Sequence, residues 1–148
     1  APHHFLSVTK FGHSAIVETT GNTDCHIILR GGKTTNFDAD SVQQVTEQLG
    51  KTNLNTKIMI DFSHANSSKK FENQMIVCED VSAQISSGND NIFGVMVESH
   101  LVEGRQDLVN GKVETYGQSI TDACIGWDDT ERLLSQLDQA VITRRTNR

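Results

Sequence analysis

The feature that most constrains this chain is a short apolar run at 59–62, which leads directly into Ser63 and His64. The run is too short for a helix, and small hydrogen-bonding residues follow it before a basic segment with the pattern of a helix. A buried parallel strand has this pattern, because its carboxyl end presents side chains to the crevice where α/β proteins bind ligands. We therefore predict an α/β fold with a site at the end of this strand.

Apolar runs of similar length recur at 26–29 and 92–97, and a fourth strand is predicted to begin near Ser119 and to pass Asp122. Alternating strands and helices indicate about four βα units in a parallel sheet with right-handed crossovers. Two architectures fit this order: a doubly wound sheet, complete at this length, or half of an eight-stranded barrel, which needs about 250 residues. No glycine-rich dinucleotide fingerprint follows any strand, which weakens the first. Apolar residues at helical spacing predict the helices at 39–49, 71–85 and 128–141.

Other local patterns complete the predicted outline. Alternating apolar residues on either side of Gly12 predict a two-stranded hairpin at 5–20. The polar segment through Gly104 and Gly111 is predicted to be a loop. Single residues predict the helix ends: a C-cap at Gly50, an N-terminal capping arrangement at 128–131, and basic residues at the last C-terminus, Arg144, Arg145 and Arg148.

Charge and cysteine content limit the function. A formal charge of -6 and a pI near 5.4 argue against binding to nucleic acid, which needs a broad basic surface. No apolar run is long enough to span a membrane. Three cysteines without close spacing suit reduced thiols in a cytoplasmic protein better than a disulfide framework. The start at Ala1, without Met, leads us to expect a processed piece of a longer chain.

Four polar side chains lie at or just after the predicted strands, namely Arg30, His64, Glu98 and Asp122. Because the carboxyl ends of parallel strands share one rim, we expect these side chains to meet. One imidazole and two carboxylates suit a divalent ion such as Mn²⁺ or Fe²⁺, which could polarise a carbonyl or activate water. Arg30 suits a phosphate, because a guanidinium binds it through two parallel hydrogen bonds. Each residue alone has a structural alternative, as a hydrogen-bonded side chain or a surface arginine.

Neighbouring residues are assigned structural roles. Cys124 and His100 each lie two residues from a predicted ligand and could supply a fourth, but we expect packing for Cys124 and a loop hydrogen bond for His100. Asp61 alternates away from His64 in a regular strand, so we expect it to orient a neighbour or cap the following turn. Trp127 is expected to pack against the base of the last helix.

Together these motifs resemble one enzyme family. The segments that match are ILRGGK at 28–33, DFSHANS at 61–67, VMVESHLVEG at 95–104 and SITDACIGW at 119–127. They closely resemble the class I 3-deoxy-D-arabino-heptulosonate 7-phosphate (DAHP) synthases, and the resemblance covers essentially all 148 residues. It implies the C-terminal half of a (β/α)8 TIM barrel at 23–148, preceded by a regulatory β-hairpin insertion at 1–22. The N-terminal half of the barrel would be absent from this chain.

The resemblance also implies an activity. Members of the family are metal-dependent transferases of the shikimate pathway that condense phosphoenolpyruvate with erythrose 4-phosphate and release phosphate. His64, Glu98 and Asp122 would be the metal ligands, with Mn²⁺ expected and Fe²⁺, Co²⁺ or Zn²⁺ as alternatives. Arg30 would bind phosphoenolpyruvate at its phosphate. Asp122 would also hold a hydroxyl of erythrose 4-phosphate, so His64 and Asp122 are the expected catalytic residues.

Part of the family's site is not encoded here. The fourth metal ligand, a cysteine, and most substrate-binding lysines and arginines belong to the N-terminal half, and none of Cys25, Cys78 and Cys124 matches that cysteine. Four strands of an eight-stranded barrel would also leave two unpaired edges. We therefore expect this chain to be neither folded nor active alone. The resemblance implies that the complete enzyme is a homo-oligomer, either a dimer or a tetramer.

Regulation is the last implication of the resemblance. Family members are inhibited by an aromatic amino acid that binds near the hairpin, and Phe5, Ser7 and Val17 match positions of that pocket. The serine at position 7 favours phenylalanine as the effector. Two alternatives stay open: a related 3-deoxy-D-manno-octulosonate 8-phosphate synthase, and a non-catalytic module that binds an aromatic amino acid. The hairpin and the motif strings favour the heptulosonate enzymes.

Overall fold

The computed structural model describes residues 1–147 of the chain and has a mixed α/β fold. The N-terminal strands are β1 (His4–Val8) and β2 (Ser14–Glu18), and the central strands are β3 (Ile27–Leu29), β4 (Ile58–Asp61) and β5 (Ile92–Met96). Two short strands follow, β6 (Val102–Arg105) and β7 (Gln118–Ser119). The helices are α1 (Ala39–Lys51), α2 (Gln74–Ser86) and α3 (Trp127–Thr146), and a short 3₁₀ helix (Phe71–Asn73) precedes α2. Arg148, expected near the last helix end, lies outside the described residues.

The centre of the fold is the parallel sheet β3-β4-β5, with β4 in the middle. Ile58 and Ile60 of β4 are fully buried, as expected for apolar strands covered by helices. Phe62, the first residue after β4, still bonds to the neighbouring strand, because its backbone N–H donates to the carbonyl of Met96 at 2.9 Å. Helices α2 and α3 pack together against the sheet through a shared apolar cluster that includes Val77, Val81 and Leu133. The carboxyl ends of the three strands therefore point to one rim.

The hairpin predicted at the N-terminus is present as the antiparallel pair β1-β2. Phe5 lies opposite Val17, and Ser7 lies opposite Ala15. Residues two apart on a strand, and residues directly opposite on its partner, share one face of a sheet. Phe5, Ser7 and Val17 therefore lie on the same face of the hairpin.

The fourth predicted strand is much shorter than expected. The parallel sheet has three strands in the described chain, and the segment before α3 joins it through one bridge, Ser99 to Ile125. The N–H of Ile125 donates to the carbonyl of Glu98, and the N–H of His100 donates to the carbonyl of Ile125, both at 3.0 Å. The preceding residue, Cys124, pairs instead with Gly104 in an antiparallel bridge. The predicted loop after β5 also contains a two-stranded ribbon, β6-β7.

Two predicted helix ends are wrong by a few residues. Helix α1 continues past Gly50, and Thr52 caps it by donating its hydroxyl to the carbonyl of Leu49 at 3.0 Å. Helix α3 begins at Trp127 with Gly126 as its N-cap, so Asp128 lies inside the first turn. A carboxylate there still interacts favourably with the helix dipole. Within residues 1–147, every helix is too short or too polar to cross a membrane.

Candidate functional site

His64 is held by the residues that end strand β4. Asp61 is 2% exposed, and its Oδ1 accepts the backbone N–H of Ser63 at 2.9 Å. Its Oδ2 lies 2.8 Å from Nδ1 of His64. An ionised carboxylate only accepts hydrogen bonds, so this contact assigns the ring proton to Nδ1 and leaves Nε2 free to bind a ligand. The backbone of His64 has a φ of +53°, a conformation that turns its ring away from the strand direction.

Glu98 is held through its backbone. The side-chain amide of Gln74, which is fully buried at the start of α2, donates to the carbonyl of Glu98 at 3.0 Å. The Gln74 side-chain oxygen accepts the N–H of Glu98 at 2.9 Å. This pair of hydrogen bonds joins α2 to the segment after β5 and fixes the backbone position from which the Glu98 side chain extends.

The three predicted ligands come together. Each of His64, Glu98 and Asp122 offers a ligand atom, and these atoms lie within 4.8 Å of one another. Nε2 of His64 is 3.9 Å from Oε1 of Glu98, and both side chains are about one third exposed, at 34% and 27%. One imidazole nitrogen and two carboxylates form a donor set suited to a divalent transition ion. The residues present therefore fit the predicted metal.

Electrostatics favours a cation at this point. Burial raises the pKa of Glu98 above its ordinary value, the nearby charge of Asp122 raises it further, and His64 acts in the opposite direction. Two carboxylates that face each other disfavour each other's charged form, and a cation between them would remove that penalty.

Arg30 shares a cleft with these residues. It follows β3 at the start of a glycine turn, and its side chain is exposed. The cleft has a volume of about 360 Å³, an ordinary size for a small-molecule site. Its lining residues are Arg30, Gly31, Gly32, His64, Ala65, Ser67, Lys69, Phe71, Glu98, Asp122 and Ala123. The structure thus brings all four predicted rim residues to one place, while their roles stay predictions.

Phe5, Ser7 and Val17 belong to a separate surface. All three lie on the hairpin, outside the residues that line the cleft. Phe5 and Val17 are partly exposed, at 46% and 37%, so their shared face is open in the described chain.

Four neighbouring residues were predicted to have structural roles, and the structure agrees with some of these predictions. Cys124 is buried, which confirms packing, and the Nδ1 of His100 accepts the N–H of Leu101 at 2.8 Å, which confirms the loop hydrogen bond. Asp61 does orient a neighbour and cap the turn, but the expectation that it points away from His64 is wrong, because the strand ends at Asp61. Trp127 is 49% exposed rather than packed.

Two side chains that position the site, Asn66 and Gln74, were not predicted from the sequence. Both are buried amides whose hydrogen bonds reach residues more than twenty positions away. A polar residue at an otherwise apolar helix position, as at Gln74 before the α2 stripe, was the available signal.

Comparison with known proteins agrees with this geometry. The model of the DAHP synthetase I family matches residues 1–135. The chain belongs to the DAHP synthetase I family. It is 68% identical to the phospho-2-dehydro-3-deoxyheptonate aldolase of Haemophilus influenzae, over 98% of this chain and 40% of that protein. It is 64% identical to the Phe-sensitive phospho-2-dehydro-3-deoxyheptonate aldolase of Escherichia coli K12, over 98% of this chain and 41% of that protein.

Similarity in structure gives the same result for the fold. The structure of the phospho-2-dehydro-3-deoxyheptonate aldolase from Francisella tularensis superposes with a TM-score of 0.87 at 48% identity. The match covers 97% of this chain and 42% of that chain. The expected family and the mixed α/β fold are therefore confirmed, and this DAHP synthetase I chain spans about two fifths of the length of the relatives it matches.

Proposed function

We propose that this chain supplies the C-terminal half of a DAHP synthase. The reaction condenses phosphoenolpyruvate, erythrose 4-phosphate and water to 3-deoxy-D-arabino-heptulosonate 7-phosphate and releases phosphate, the water adding at the second carbon of phosphoenolpyruvate. The observation that carries the proposal is the cluster of His64, Glu98 and Asp122 in one cleft with Arg30, in a chain 68% identical to an aldolase of that name. The family assignment favours this function over the octulosonate enzyme and over a non-catalytic binding module.

Each proposed site residue has a defined task. His64, Glu98 and Asp122 would hold the divalent ion, with Mn²⁺ as the expected metal and Fe²⁺, Co²⁺ or Zn²⁺ as alternatives. When bound, the ion would polarise the aldehyde of erythrose 4-phosphate. Arg30 would bind the phosphate of phosphoenolpyruvate and offset the repulsion between two polyanions in one cleft. Asp122 would also orient a hydroxyl of the aldose, so that the methylene carbon of phosphoenolpyruvate meets the aldehyde carbon.

The proposed architecture is half of a (β/α)8 TIM barrel at 23–148, completed by an N-terminal half. Exposed apolar side chains on the central sheet support this architecture: Ile28, Phe93 and Met96 are 40%, 50% and 40% exposed. Both faces of a parallel sheet are normally covered, so these side chains would be covered by the N-terminal half. The N-terminal half would bring the fourth metal ligand, a cysteine, and further substrate-binding residues. The complete enzyme is proposed to be a cytoplasmic dimer or tetramer, and the three free cysteines agree with a reducing compartment.

The hairpin at 1–22 is proposed to be regulatory. Phe5, Ser7 and Val17 share one face, which would contribute to a pocket for an aromatic amino acid. The higher identity to the Phe-sensitive enzyme of Escherichia coli, at 64%, than to a Trp-sensitive one from the same species, at 48%, favours phenylalanine as the effector. Inhibition of the intact enzyme by each aromatic amino acid tests this, and stronger inhibition by tyrosine or tryptophan would contradict it.

A single assay series tests the activity. The intact enzyme, with both halves present, should consume phosphoenolpyruvate with erythrose 4-phosphate and not with arabinose 5-phosphate. A chelator should abolish turnover, and Mn²⁺ should restore it. The Glu98→Gln variant should lose metal content, measured by elemental analysis, while the exposed control Glu103→Gln should keep it. Full turnover without any divalent ion would reject the proposal.

A further inference from the structure

Asn66 connects the two loops that carry Arg30 and His64. Its side chain is buried at 3% exposure, and its amide nitrogen donates to two backbone carbonyls. These carbonyls belong to Leu29, at 3.1 Å, and Asp61, at 2.8 Å, which are the last residues of β3 and β4. One amide group therefore joins the ends of two neighbouring strands, just before the chain reaches Arg30 and His64.

The other end of the Asn66 side chain reaches the glycine turn. Its Oδ1 accepts the backbone N–H of Asn36 at 2.9 Å. The Oδ1 of Asn36 in turn accepts the N–H of Gly31 at 2.7 Å. These two hydrogen bonds connect Gly31, the residue after Arg30, to the loop that follows His64.

The two loops also touch directly. A Cβ placed on Gly31 would lie 2.7 Å from the Cβ of Ala65 and 3.0 Å from the backbone nitrogen of Asn66. Gly31 has a φ of +75°, a conformation that favours glycine. The turn is thus in van der Waals contact with the His64 loop, and Asn66 fixes the hydrogen bonds around that contact.

We propose that Asn66 is a positioning residue that sets the spacing between the anion-binding Arg30 and the metal ligand His64. This inference rests on the proposed function, in which one phosphorylated substrate must contact Arg30 while it reacts beside His64. A misplacement of about 1 Å between such groups is enough to lower a rate by about 10²-fold. Asn66 bonds to the backbone of Asp61 and not to its carboxylate, so the support of the His64 ring does not depend on it.

The substitution Asn66→Ala separates this role from general stability. It leaves two strand-end carbonyls and the Asn36 N–H without their partner, so Arg30 loses its fixed position relative to His64. We expect the KM for phosphoenolpyruvate to rise by about tenfold, a loss of about 1.4 kcal/mol in binding, because Arg30 no longer meets the phosphate in its original position. Metal content, measured by elemental analysis, should stay equal to that of the wild type.

A matched control is available in Gln84, a buried amide of α2 outside the cleft. Its side chain is 7% exposed and donates to the carbonyl of Phe37 at 2.8 Å and to Asp80 at 2.6 Å. The Oε1 of Gln84 is buried without a partner in residues 1–147, so Gln84→Met removes two hydrogen bonds and should lose less stability to urea than Asn66→Ala, with an unchanged KM for phosphoenolpyruvate. If Asn66→Ala does not fold, Asn36→Ala removes only the Gly31 contact and should raise the same KM by a smaller factor.

The experiment is steady-state kinetics of the intact enzyme with these variants. A rise in KM for phosphoenolpyruvate in the Asn66 or Asn36 variant, with metal retained and Gln84→Met unchanged, supports the inference. Equal behaviour of the Asn66 and Gln84 variants, with only the active fraction reduced, overturns it and leaves the proposed function intact. A wild-type enzyme that does not condense the two substrates overturns the proposed function and this inference with it.

Discussion

Gln74 and Glu98 share a reciprocal pair of hydrogen bonds, in which the glutamine amide contacts both the N–H and the carbonyl of Glu98. The carbonyl has a second donor in the N–H of Ile125 at 3.0 Å, so removal of the amide would affect the Glu98 N–H most. The N–H of Glu98 is therefore bonded by a helix side chain, while its carbonyl is shared between that side chain and the segment before α3.

The Gln74→Met substitution should therefore weaken metal binding. Methionine fills a similar volume but can form neither hydrogen bond, so the backbone of Glu98 loses the support of α2. Changes to residues that support metal ligands lower affinity by about 10 to 100-fold, and we expect a value near the lower end. Titration of the metal-free intact enzyme with Mn²⁺ measures this. Gln84→Met, in the same helix but outside the cleft, is the control, and equal affinities in the two variants would contradict the prediction.

The contact between Asp61 and His64 leads to a second prediction. In Asp61→Asn, one acceptor oxygen becomes an NH₂ donor. The remaining oxygen is needed by the backbone N–H of Ser63, so the NH₂ group faces the ring and moves its proton from Nδ1 to Nε2. A protonated Nε2 cannot bind a metal.

We expect Asp61→Asn to lower Mn²⁺ affinity by about 10 to 100-fold although the side chains have nearly the same shape. Ser63→Ala, which removes a hydroxyl 2.8 Å from the same ring nitrogen, should have a smaller effect because Asp61 still accepts the proton. Chelator competition measures both affinities. A larger loss in Ser63→Ala than in Asp61→Asn would show that the hydroxyl, not the carboxylate, orients the ring.

A third prediction concerns the contact between Gly31 and Ala65. Gly31→Ala introduces a methyl group 2.7 Å from the Cβ of Ala65 and places alanine at a φ of +75°. The conformation alone costs about 1–2 kcal/mol, and the clash moves Arg30 away from His64. The KM for phosphoenolpyruvate should rise about tenfold.

Two comparison variants isolate the cause of the Gly31→Ala effect. Gly111→Ala places alanine at nearly the same φ, +74°, with no atom within 4 Å of the new methyl group and outside the cleft, so it should lose stability while the KM for phosphoenolpyruvate stays unchanged. The double variant Gly31→Ala with Ala65→Gly removes the closest contact and should recover part of the affinity. Failure of the second change to recover any affinity would assign the effect to the backbone conformation together with the remaining 3.0 Å contacts to the backbone of Ala65 and Asn66.

The sequence predicted the rim of the site better than its supports. Arg30, His64, Glu98 and Asp122 could be placed together because parallel strands end at one edge, a rule that depends only on the order of elements. The direction of the Asp61 side chain could not be predicted, because strand alternation stops where the strand ends and His64 adopts a positive φ. Asn66 and Gln74 act through contacts that are distant in sequence, and no local pattern encodes such contacts.

The boundaries of the helices and strands were also predicted only in part. Apolar spacing identified α1, but Gly50 lies within it, because Thr52 supplies the cap two residues later. The strand expected near 119–125 is mostly irregular, because its backbone pairs with two different partners: Cys124 with Gly104 and Ile125 with Ser99. Pairing with residues on separate segments is not encoded in the local sequence around Asp122.

The last prediction concerns the start of helix α1, where Asp38 is the N-cap. Its Oδ1 accepts the backbone N–H of Ser41 at 2.9 Å, and Oδ2 accepts the Ser41 hydroxyl at 2.8 Å. The bond from the Ser41 backbone is the largest cause that lowers the pKa of Asp38 below its ordinary value of 3.8, and partial burial opposes it.

Because the folded state favours the charged carboxylate of Asp38, its contribution to stability is fully present above the unfolded pKa and is lost as the pH falls through the folded pKa. Asp38→Ala should therefore cost about 1 kcal/mol at pH 7, measured by amide hydrogen exchange of α1. Asp38→Asn keeps the cap, and the exposed control Gln44→Ala, outside the first turn of the same helix, should change little. The difference between wild type and Asp38→Ala should stay constant down to about pH 4 and shrink only below it, since protonation then removes the charged acceptor in both states. A difference that shrinks already between pH 7 and pH 5 would mean that another group, not the Asp38 carboxylate, determines the stability of this helix end.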